Sequence, residues 1–217
     1  MDYPKGSAGL WLVEPDWQGE TAVILGSGPS VIAAMPEISA ARDRARVIAV
    51  NDAWKLSPWA ELLWATDYRW WHWHRGVPEF AGVKASREDS RTAAAYVDVR
   101  LLRQSFDDKN DRGGFDPEPS RLRLGGCGGF AAVGLAAKLG ARRIVLAGFD
   151  MRAIDGRTHW FGDHVGRRTT KDDFEAWRRW FPTLVEPMKT LGIEVINATP
   201  GSALGCFPIA TIEKALG

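Results

Sequence analysis

The sequence is poor in cysteine, carries almost no net charge and contains no long apolar run. Its two cysteines, Cys127 and Cys206, match neither the ligand spacing of a zinc site nor a disulfide framework, which suits a reducing cytoplasm. The net charge of +1 favours no polyanionic partner and excludes none. No apolar stretch approaches the ~20 residues of a membrane span, and the polar, proline-containing N-terminus predicts no signal peptide. We therefore expect a cytoplasmic protein without a transmembrane segment.

What the sequence does contain is eleven tryptophans and a series of short apolar runs, each followed by small or polar residues. Tryptophan serves in binding surfaces as well as in cores. The 217 residues suit one domain, because no repeat or linker divides them. We assign residues 1–20 to an N-terminal arm, residues 151–172 to a lid-like loop, and 1–217 as a whole to a single domain.

The first apolar run, Ala22–Leu25, predicts a buried strand that ends in a turn of small residues. Glycine lets backbone N–H groups approach an anion without an intervening Cβ, and a helix that begins at the turn would add a partial positive charge. We interpret the turn as a cradle for a phosphate or nucleotide; a tight turn that binds nothing is the alternative. The turn consists of Gly26, Ser27, Gly28, Pro29 and Ser30.

Two further predicted strands end in polar side chains. Arg46–Val50 is followed by Asn51 and Asp52, and Leu62–Ala65 is followed within two residues by Asp67. In open α/β sheets, ligands collect at the carboxyl ends of the strands. The repeated pattern therefore predicts a shared binding crevice more strongly than any single motif does.

The aromatic stretch Tyr68–His74 carries two histidines, His72 and His74. They could bind a metal only from an extended segment, and no carboxylate or cysteine joins them at ligand spacing. We therefore predict no metal here and expect the aromatic residues to line a pocket wall or to pack at the start of a helix. Glu79–Ser120 is predicted to be irregular, apart from a strand at Tyr96–Leu102.

The second half of the chain continues the alternation of strands and helices. Gly128 and Gly129 lie in a glycine-rich turn, where they either face a ligand or allow close packing. The loop after the strand Arg142–Leu146 carries two histidines and several arginines, and loops that follow strand ends often hold functional sites. The remaining predicted elements are helices at Val31–Arg44, Gly129–Leu139, Lys171–Leu191 and Ile209–Leu216 and a strand at Glu194–Asn197.

The order of these blocks resembles that of the bacterial lipooligosaccharide sialyltransferases over about residues 21–210. It is also similar to that of the archaeal-type 6-hydroxymethylpterin diphosphokinases and their phage-borne relatives. The resemblance implies an α/β fold with a Rossmann-like, mostly parallel sheet, helices on both faces, a lid loop and a nucleotide bound at the strand ends. Since related enzymes form oligomers, it also implies a homo-oligomer.

In the sialyltransferase pattern, the turn that corresponds to Gly26–Ser30 holds the phosphate and ribose of a nucleotide sugar, and a strand-end asparagine corresponds to Asn51. A serine–glycine turn corresponds to Gly128-Gly129, so its serine contact is absent here. A His-Tyr-Ile-Gly-His run corresponds to the stretch from His159 to His164, which is one residue longer. Because the last histidine of that run is the catalytic base, the resemblance implies His164 as the base and His159 as the second candidate.

The chain departs from this pattern directly after Asp150, which follows the predicted strand Arg142–Leu146. A family tyrosine that steadies the departing phosphate would fall near Met151, which cannot do so. Arg152 or Arg157 could neutralise the phosphate instead, and Asp150 is our candidate for orienting the histidine ring. The missing tyrosine leaves the donor open among CMP-, UDP- and GDP-sugars.

Three functional hypotheses remain. The first is a glycosyltransferase that moves a sugar from a nucleotide-sugar donor to a hydroxyl on a glycan or a modified DNA base, with histidine as general base and no metal. The second is an ATP-dependent pyrophosphokinase of a pterin-like alcohol, with Mg²⁺ at Asp67 or Asp150. The third is a non-catalytic nucleotide-binding phage accessory protein. Asn197 and Ser202 either contact the base or ribose or serve as turn residues.

Overall fold

The computed structural model describes residues 9–105, 111–163 and 168–217. The strands in these residues are β1 (Thr21–Leu25), β2 (Arg46–Val50), β3 (Leu62–Trp64), β4 (Val83–Arg87), β5 (Val99–Gln104), β6 (Arg121–Leu122), β7 (Arg143–Ala147) and β8 (Glu194–Asn197). They form one sheet in the order β6-β5-β4-β3-β2-β1-β7-β8, and all the described strand pairs are parallel. The prediction of an α/β, Rossmann-like fold is confirmed.

The helices in the described part of the chain cover both faces of the sheet. They are α1 (Val31–Ala40), α2 (Tyr68–Trp73), α3 (Ser90–Ala95), α4 (Gly128–Lys138), α5 (Lys171–Arg178), α6 (Val185–Thr190) and α7 (Ile212–Leu216), with 3₁₀ turns at Asn51–Lys55 and Phe181–Leu184. The longest, α4, has 11 residues, about half of what a bilayer requires, and none of these helices could span a membrane.

Two apolar layers lie on opposite faces of the sheet. Successive side chains of a strand point to opposite faces, so Ala22 and Ile24 pack with α4, α5 and α6, whereas Val23 and Leu25 pack with α1, α2 and α7. A parallel sheet that is covered on both sides requires strands that are apolar at nearly every position. This requirement explains why β1, β2 and β7 read as continuous apolar runs.

Residues 9–20 of the predicted arm lie against the same sheet. Trp11 and Trp17 are buried in the layer that contains α4. The backbone N–H of Trp11 donates to the carbonyl of Leu101 at 2.8 Å, and that of Trp17 donates to the carbonyl of Leu139 at 2.7 Å. The two tryptophans therefore attach the arm at two separate points.

The prediction that Glu79–Ser120 is irregular apart from a strand at Tyr96–Leu102 was wrong in part, because β4 and α3 also lie within it; the predicted strand corresponds to β5. The apolar pattern of the sequence did not predict β4, because two of its buried positions are polar, Lys84 and Ser86. Lys84 donates to the carbonyl of Gly76 at 3.0 Å and pairs with Asp98, and Ser86 accepts the indole N–H of Trp71 at 3.1 Å. Burial of these polar groups is tolerated because each has a partner.

The prediction of one helix over Lys171–Leu191 was also wrong. α5 ends at Arg178, a 3₁₀ turn follows, and α6 begins at Val185. Pro182 lies in the 3₁₀ turn, where it lacks the N–H that a continuous α-helix would need and its ring would clash with the preceding turn. The break redirects the chain so that Phe181 and Leu184 are fully buried.

The turns that follow β1 and β7 are in direct contact. The N–H of Gly26 donates to the carbonyl of Ala147 at 2.8 Å, and that of Gly28 donates to the carbonyl of Gly148 at 2.9 Å. A Cβ on either Gly26 or Gly28 would lie 2.6 Å from the carbonyl oxygen of Gly148. Because the chain continues from β1 to one side and β7 lies on the other, this contact marks the point where the strand order reverses, the usual position of a ligand crevice in such sheets.

We expect Gly28→Ala to lower the free energy of unfolding by about 1–3 kcal/mol, as overpacking of a close contact does. The new Cβ would meet the carboxylate of Asp150 as well as the Gly148 carbonyl. Urea unfolding monitored by circular dichroism measures the effect. Gly205→Ala is the matched control, since a Cβ there meets nothing within 4 Å and neither glycine has a positive φ. Equal stability of the two variants would show that the contact is not tight.

Candidate functional site

A cavity of about 700 Å³ opens at the carboxyl ends of β1, β2, β3, β4 and β7. The start of α4, the helix α2 and the loop that follows β7 complete its walls. Its size lies within the range of small-molecule and cofactor sites, and its position is the one that the strand order predicts. We call it the strand-end cavity.

The turn after β1 contributes its first three residues to this cavity, Gly26, Ser27 and Gly28. The N–H groups of the two glycines are already bonded to β7, as described above. The hydroxyl of Ser27 lies 3.4 Å from the carbonyl of Val50, and the backbone carbonyl of Ser27 accepts the N–H of Trp160 at 3.0 Å. The turn therefore holds the edges of the crevice together, and Ser27 is its main polar group at the cavity.

The beginning of α1 is occupied by a carboxylate from the chain itself. Asp150 is buried and accepts the hydroxyl of Ser30 at 2.9 Å and the N–H of Ser30 at 3.3 Å. An anion at a helix N-terminus satisfies its unpaired donors and its positive partial charge. The strand-end cavity is not lined by Asp150, Ser30 or Pro29. At the start of α1, the predicted phosphate cradle therefore holds a carboxylate of the protein itself instead of facing the cavity.

The beginning of α4 faces the cavity instead. Gly128 and Gly129 line it, and helix geometry leaves their N–H groups without intrahelical acceptors. A Cβ on Gly128 would lie 2.9 Å from the side chain of Val50, and one on Gly129 would lie 2.7 Å from the ring of Phe149. Only glycine allows this helix end to come so close to the strand ends. The site therefore presents the positive end of an 11-residue helix, a natural position for an anion.

Cys127 directly precedes α4 and also lines the cavity. Burial raises the pKa of its thiol to about 11, against the opposing effect of the N–H groups of Phe130 and Gly129. A thiol with this pKa is protonated at neutral pH, and the thiolate is the nucleophilic form. The chemistry of the site therefore does not centre on this cysteine.

Asn51 lies beside the same helix end in an uncommon backbone conformation. Its φ is 51°, in the left-handed region that asparagine adopts more readily than most residues. Its amide nitrogen lies 3.8 Å from the position a Cβ would take on Gly128. Met151, which follows β7 and also lines the cavity, has the same φ of 51°. Two left-handed residues at strand ends that face one cavity indicate a functional site.

Asp52 supports one wall of the cavity from behind. It is buried, and its carboxylate contacts the Lys55 ammonium at 2.6 Å, the indole N–H of Trp70 at 2.9 Å and the His74 ring at 3.4 Å. Burial alone would raise the pKa of Asp52, but these partners outweigh it and hold the pKa below its ordinary value. The side chain predicted to bind a ligand is thus engaged in fixing α2, whose Tyr68, Trp70 and Trp73 line the cavity.

Arginines line the part of the cavity nearest β4. These arginines are Arg69, Arg87 and Arg91. Among the described residues that line the cavity, only Asp67 carries a carboxylate. Asp89 holds Arg91 by two hydrogen bonds of 3.1 and 2.9 Å, and the guanidinium lies 4.7 Å from the ring centre of Tyr68. The hydrogen bond from Arg91 is the main reason why the pKa of Asp89 falls to about 2.

These arginines were not predicted from the sequence. Arg87 ends β4, a strand whose polar residues conceal its pattern, and Arg69 and Arg91 lie in α2 and α3, which follow β3 and β4. A search for cations directly after strand ends would have found Arg87, had β4 been recognised. Arg91 is paired with Asp89, so Arg69 and Arg87 against the carboxylate of Asp67 leave the lining with a small excess of positive charge, which favours an anionic ligand.

The loop after β7 brings one of the predicted histidines to the cavity. His159 is buried, its Nδ1 lies 3.0 Å from the hydroxyl of Thr158, and its ring stacks on Phe161 at 5.2 Å. Both His159 and Thr158 line the cavity. Arg157 is exposed and pairs through its backbone with Ile154, outside the lining. His164 lies outside the described residues.

Asn197 and Ser202 stabilise the loop after β8. The amide of Asn197 is buried and donates to the carbonyl of Leu204 at 3.0 Å. The hydroxyl of Ser202 donates to the carbonyl of Phe149 and accepts the N–H of Leu204 at 3.0 Å. Neither residue lines the strand-end cavity, so the structure brings them to β7 rather than to the other predicted site residues.

One solved structure that is similar to this chain has the same type of fold. No protein-family model matches the sequence, and no curated protein matches it. Among solved structures, the MAf glycosyltransferase from Magnetospirillum magneticum AMB-1 is similar over 90% of this chain, with a TM-score of 0.57 and 18% identity. The matched part is 34% of that protein, so the chain spans about a third of its length. At this identity the likeness shows the fold; the resemblance to sialyltransferases stays a prediction.

We expect Asp52→Asn to lower the free energy of unfolding by about 1–3 kcal/mol at neutral pH, because the Lys55 ammonium would lose the negative charge with which it pairs. The folded-state pKa of Asp52 is lowered. Its contribution is therefore complete above the unfolded value of about 3.9 and is lost as the pH falls through the folded value. The difference between wild type and variant should shrink below about pH 4.

Urea unfolding at pH 7, 5 and 3 measures this difference. Asp43→Asn is the matched control, since that side chain is 91% exposed and its nearest cation is 3.9 Å away. A difference that stays constant down to pH 3 would contradict the linkage.

Proposed function

We propose that this chain is a glycosyltransferase that binds a nucleotide-sugar donor in the strand-end cavity. The observation that carries the proposal is the convergence on one cavity of the α4 N-terminus, the amide of Asn51 and three arginines. These groups suit the phosphates of a nucleotide sugar. The fold relative, which is itself named as a glycosyltransferase, supports the same class of reaction.

The walls of the cavity suit the two ends of such a donor. Aromatic side chains line it from both faces of the sheet: Tyr68 and Trp73 belong to α2, which packs on one face, and Phe174 and Trp177 belong to α5, which packs on the other. Aromatic faces stack on nucleobases and on the apolar faces of sugars.

The proposed reaction is a displacement at the anomeric carbon. The acceptor oxygen forms a bond to that carbon, the bond from the carbon to the phosphate oxygen breaks, and the nucleotide leaves with the electron pair. The α4 N-terminus and the arginines stabilise the negative charge that develops on the leaving phosphate. The acceptor proton passes to a base, for which we propose His159, because it lines the cavity and histidine is the residue type that most often serves as a general base.

The other two hypotheses are tested by incubating the protein with CMP-, UDP- and GDP-sugars and with ATP, and by following which of them is consumed. Of the carboxylates proposed to bind Mg²⁺, Asp67 lines the cavity, whereas Asp150 is engaged by Ser30 at the start of α1. Consumption of ATP that requires Mg²⁺ would favour the pyrophosphokinase. Binding of a nucleotide without turnover of any donor would favour the accessory protein.

Asn51→Gly should weaken nucleotide binding by about 3- to 10-fold, the equivalent of one hydrogen bond. Glycine keeps the left-handed backbone and removes only the amide. Isothermal titration with CMP, UMP, GMP and AMP identifies the nucleotide and measures the loss. Asp155→Gly is the matched control, because Asp155 also has a left-handed φ, 49°, and is exposed outside this cavity. An unchanged dissociation constant in Asn51→Gly would remove the amide from the proposed site.

His159→Gln should reduce the rate of transfer by about 10²- to 10⁴-fold, the usual contribution of a general base, with nucleotide affinity within about threefold of wild type. Turnover of the matching nucleotide sugar, followed by release of the nucleotide, measures the rate. His164→Gln is measured in parallel, since the resemblance implies that residue as the base. A loss confined to His164→Gln would reject His159 and leave the reaction class intact.

A further inference from the structure

The loop after β7 is fixed to the rest of the protein on both sides of His159. On one side, the backbones of Ile154 and Arg157 exchange two hydrogen bonds of 2.9 Å each and close a tight hairpin. On the other side, the N–H of Trp160 donates to the carbonyl of Ser27 at 3.0 Å. The two residues between these points are therefore held against the turn after β1.

The side chain of His159 is fixed as well. Its ring is nearly parallel to that of Phe161, with 5.2 Å between the ring centres and 18° between the planes. Its Nδ1 lies 3.0 Å from the hydroxyl of Thr158, and both side chains are buried. Threonine is branched at Cβ and has few side-chain rotamers, so its hydroxyl is held in place beside the ring. One nitrogen of the imidazole is thereby committed to Thr158.

Thr158 occupies the position that an orienting group for the histidine requires. The group that the sequence predicts for this purpose, Asp150, bonds to Ser30 at the start of α1 and does not line the strand-end cavity. Thr158 lines that cavity together with His159. A hydroxyl can both donate and accept a hydrogen bond. The direction of its bond with Nδ1 therefore decides which nitrogen of the neutral ring carries the hydrogen.

This direction matters because a general base must offer an unprotonated nitrogen. When the Nδ1–H of His159 donates to the hydroxyl oxygen, Nε2 has a lone pair and can accept a proton. When the hydroxyl donates to Nδ1 instead, the hydrogen of the neutral ring is on Nε2, and that nitrogen cannot act as a base. Only the first arrangement is compatible with His159 as the base of transfer.

We propose that Thr158 is a positioning residue for transfer: its hydroxyl oxygen accepts the Nδ1–H of His159 and keeps Nε2 unprotonated for the acceptor. This inference rests on the proposed function. In the reacting step, the acceptor hydroxyl gives its proton to Nε2 while its oxygen bonds to the anomeric carbon and the phosphate leaves with the electron pair. The hydrogen on Nδ1 stays in place, so the imidazolium that forms keeps its bond to Thr158.

Thr158→Val tests this inference, because valine has nearly the same shape and no hydroxyl. We expect kcat for transfer to fall by about 10- to 100-fold, as the misplacement of a catalytic group does, with nucleotide affinity within about threefold of wild type. Thr158→Ser restores the hydroxyl and should keep kcat within about threefold of wild type. Release of the nucleotide from the matching nucleotide sugar measures kcat.

Thr92→Val is the matched control. Thr92 is also buried, its hydroxyl has no hydrogen-bond partner among the described residues, and it lies outside the strand-end cavity, so kcat should stay unchanged. A Thr158→Val variant as active as wild type, when His159→Gln abolishes transfer, would overturn the inference and leave the proposed function intact. A loss that Thr158→Ser does not restore would also overturn it. Full transfer by His159→Gln would overturn the inference together with the choice of base.

A second measurement needs no substrate. Nitrogen-15 NMR of the full chain with labelled histidines reports which ring nitrogen carries the hydrogen, at about pH 8, above the ordinary histidine pKa of about 6.5. The signals missing from His159→Gln identify those of His159. We expect the hydrogen on Nδ1 in wild type and in Thr158→Ser, and a shift of population toward Nε2 in Thr158→Val.

The outcomes of the NMR measurement separate this inference from the proposed function. Hydrogen on Nε2 of His159 in the wild type would overturn the inference, whatever the activity. Hydrogen on Nδ1 that depends on the Thr158 hydroxyl, in a protein that turns over no nucleotide sugar, would support the positioning contact and contradict the proposed function.

Discussion

The contact between the turns after β1 and β7 is the constraint on which the rest of the site depends. The backbone of Gly26 and Gly28 approaches Gly148 closely enough for two hydrogen bonds, and no side chain fits between them. The parallel pairing of β1 with β7 brings the strand ends of the two halves of the sheet to one edge, and this contact continues that pairing into the two turns. The loop that follows β7 therefore begins directly beside the turn that follows β1, and both line the cavity.

The same contact decides which helix can receive an anion. Asp150 follows the β7 turn directly and is held against α1, where it bonds to Ser30. One helix N-terminus is thereby neutralised by the chain itself. The other, at Gly128 and Gly129, is brought beside the strand ends by the absence of side chains. Two glycine-rich turns that look alike in the sequence both line the cavity but have different roles: the helix after the first is capped by Asp150, whereas the helix after the second presents its N-terminus to the cavity.

Much of the fold could be predicted from the sequence, because a sheet covered on both faces leaves its own apolar signature. That signature fails at β4, where Lys84 and Ser86 are buried with partners from elsewhere in the chain. The strand-end rule likewise identified Ser27 and Asn51 as cavity residues. It could not foresee that Asp52 would turn back to Lys55 and Trp70, since the neighbours of a side chain depend on packing rather than on its place in the sequence.

The strand order has a consequence for how copies of this chain can associate. Within the described residues, the outermost strands of the sheet are β6, with two residues, and β8, with four, and beyond β8 the backbone of Ile209 bridges to Asn197. Edges this short provide little template for pairing with a strand from another molecule. Self-association by extension of the sheet is therefore disfavoured, and an oligomer would have to be built from side-chain contacts between helical surfaces.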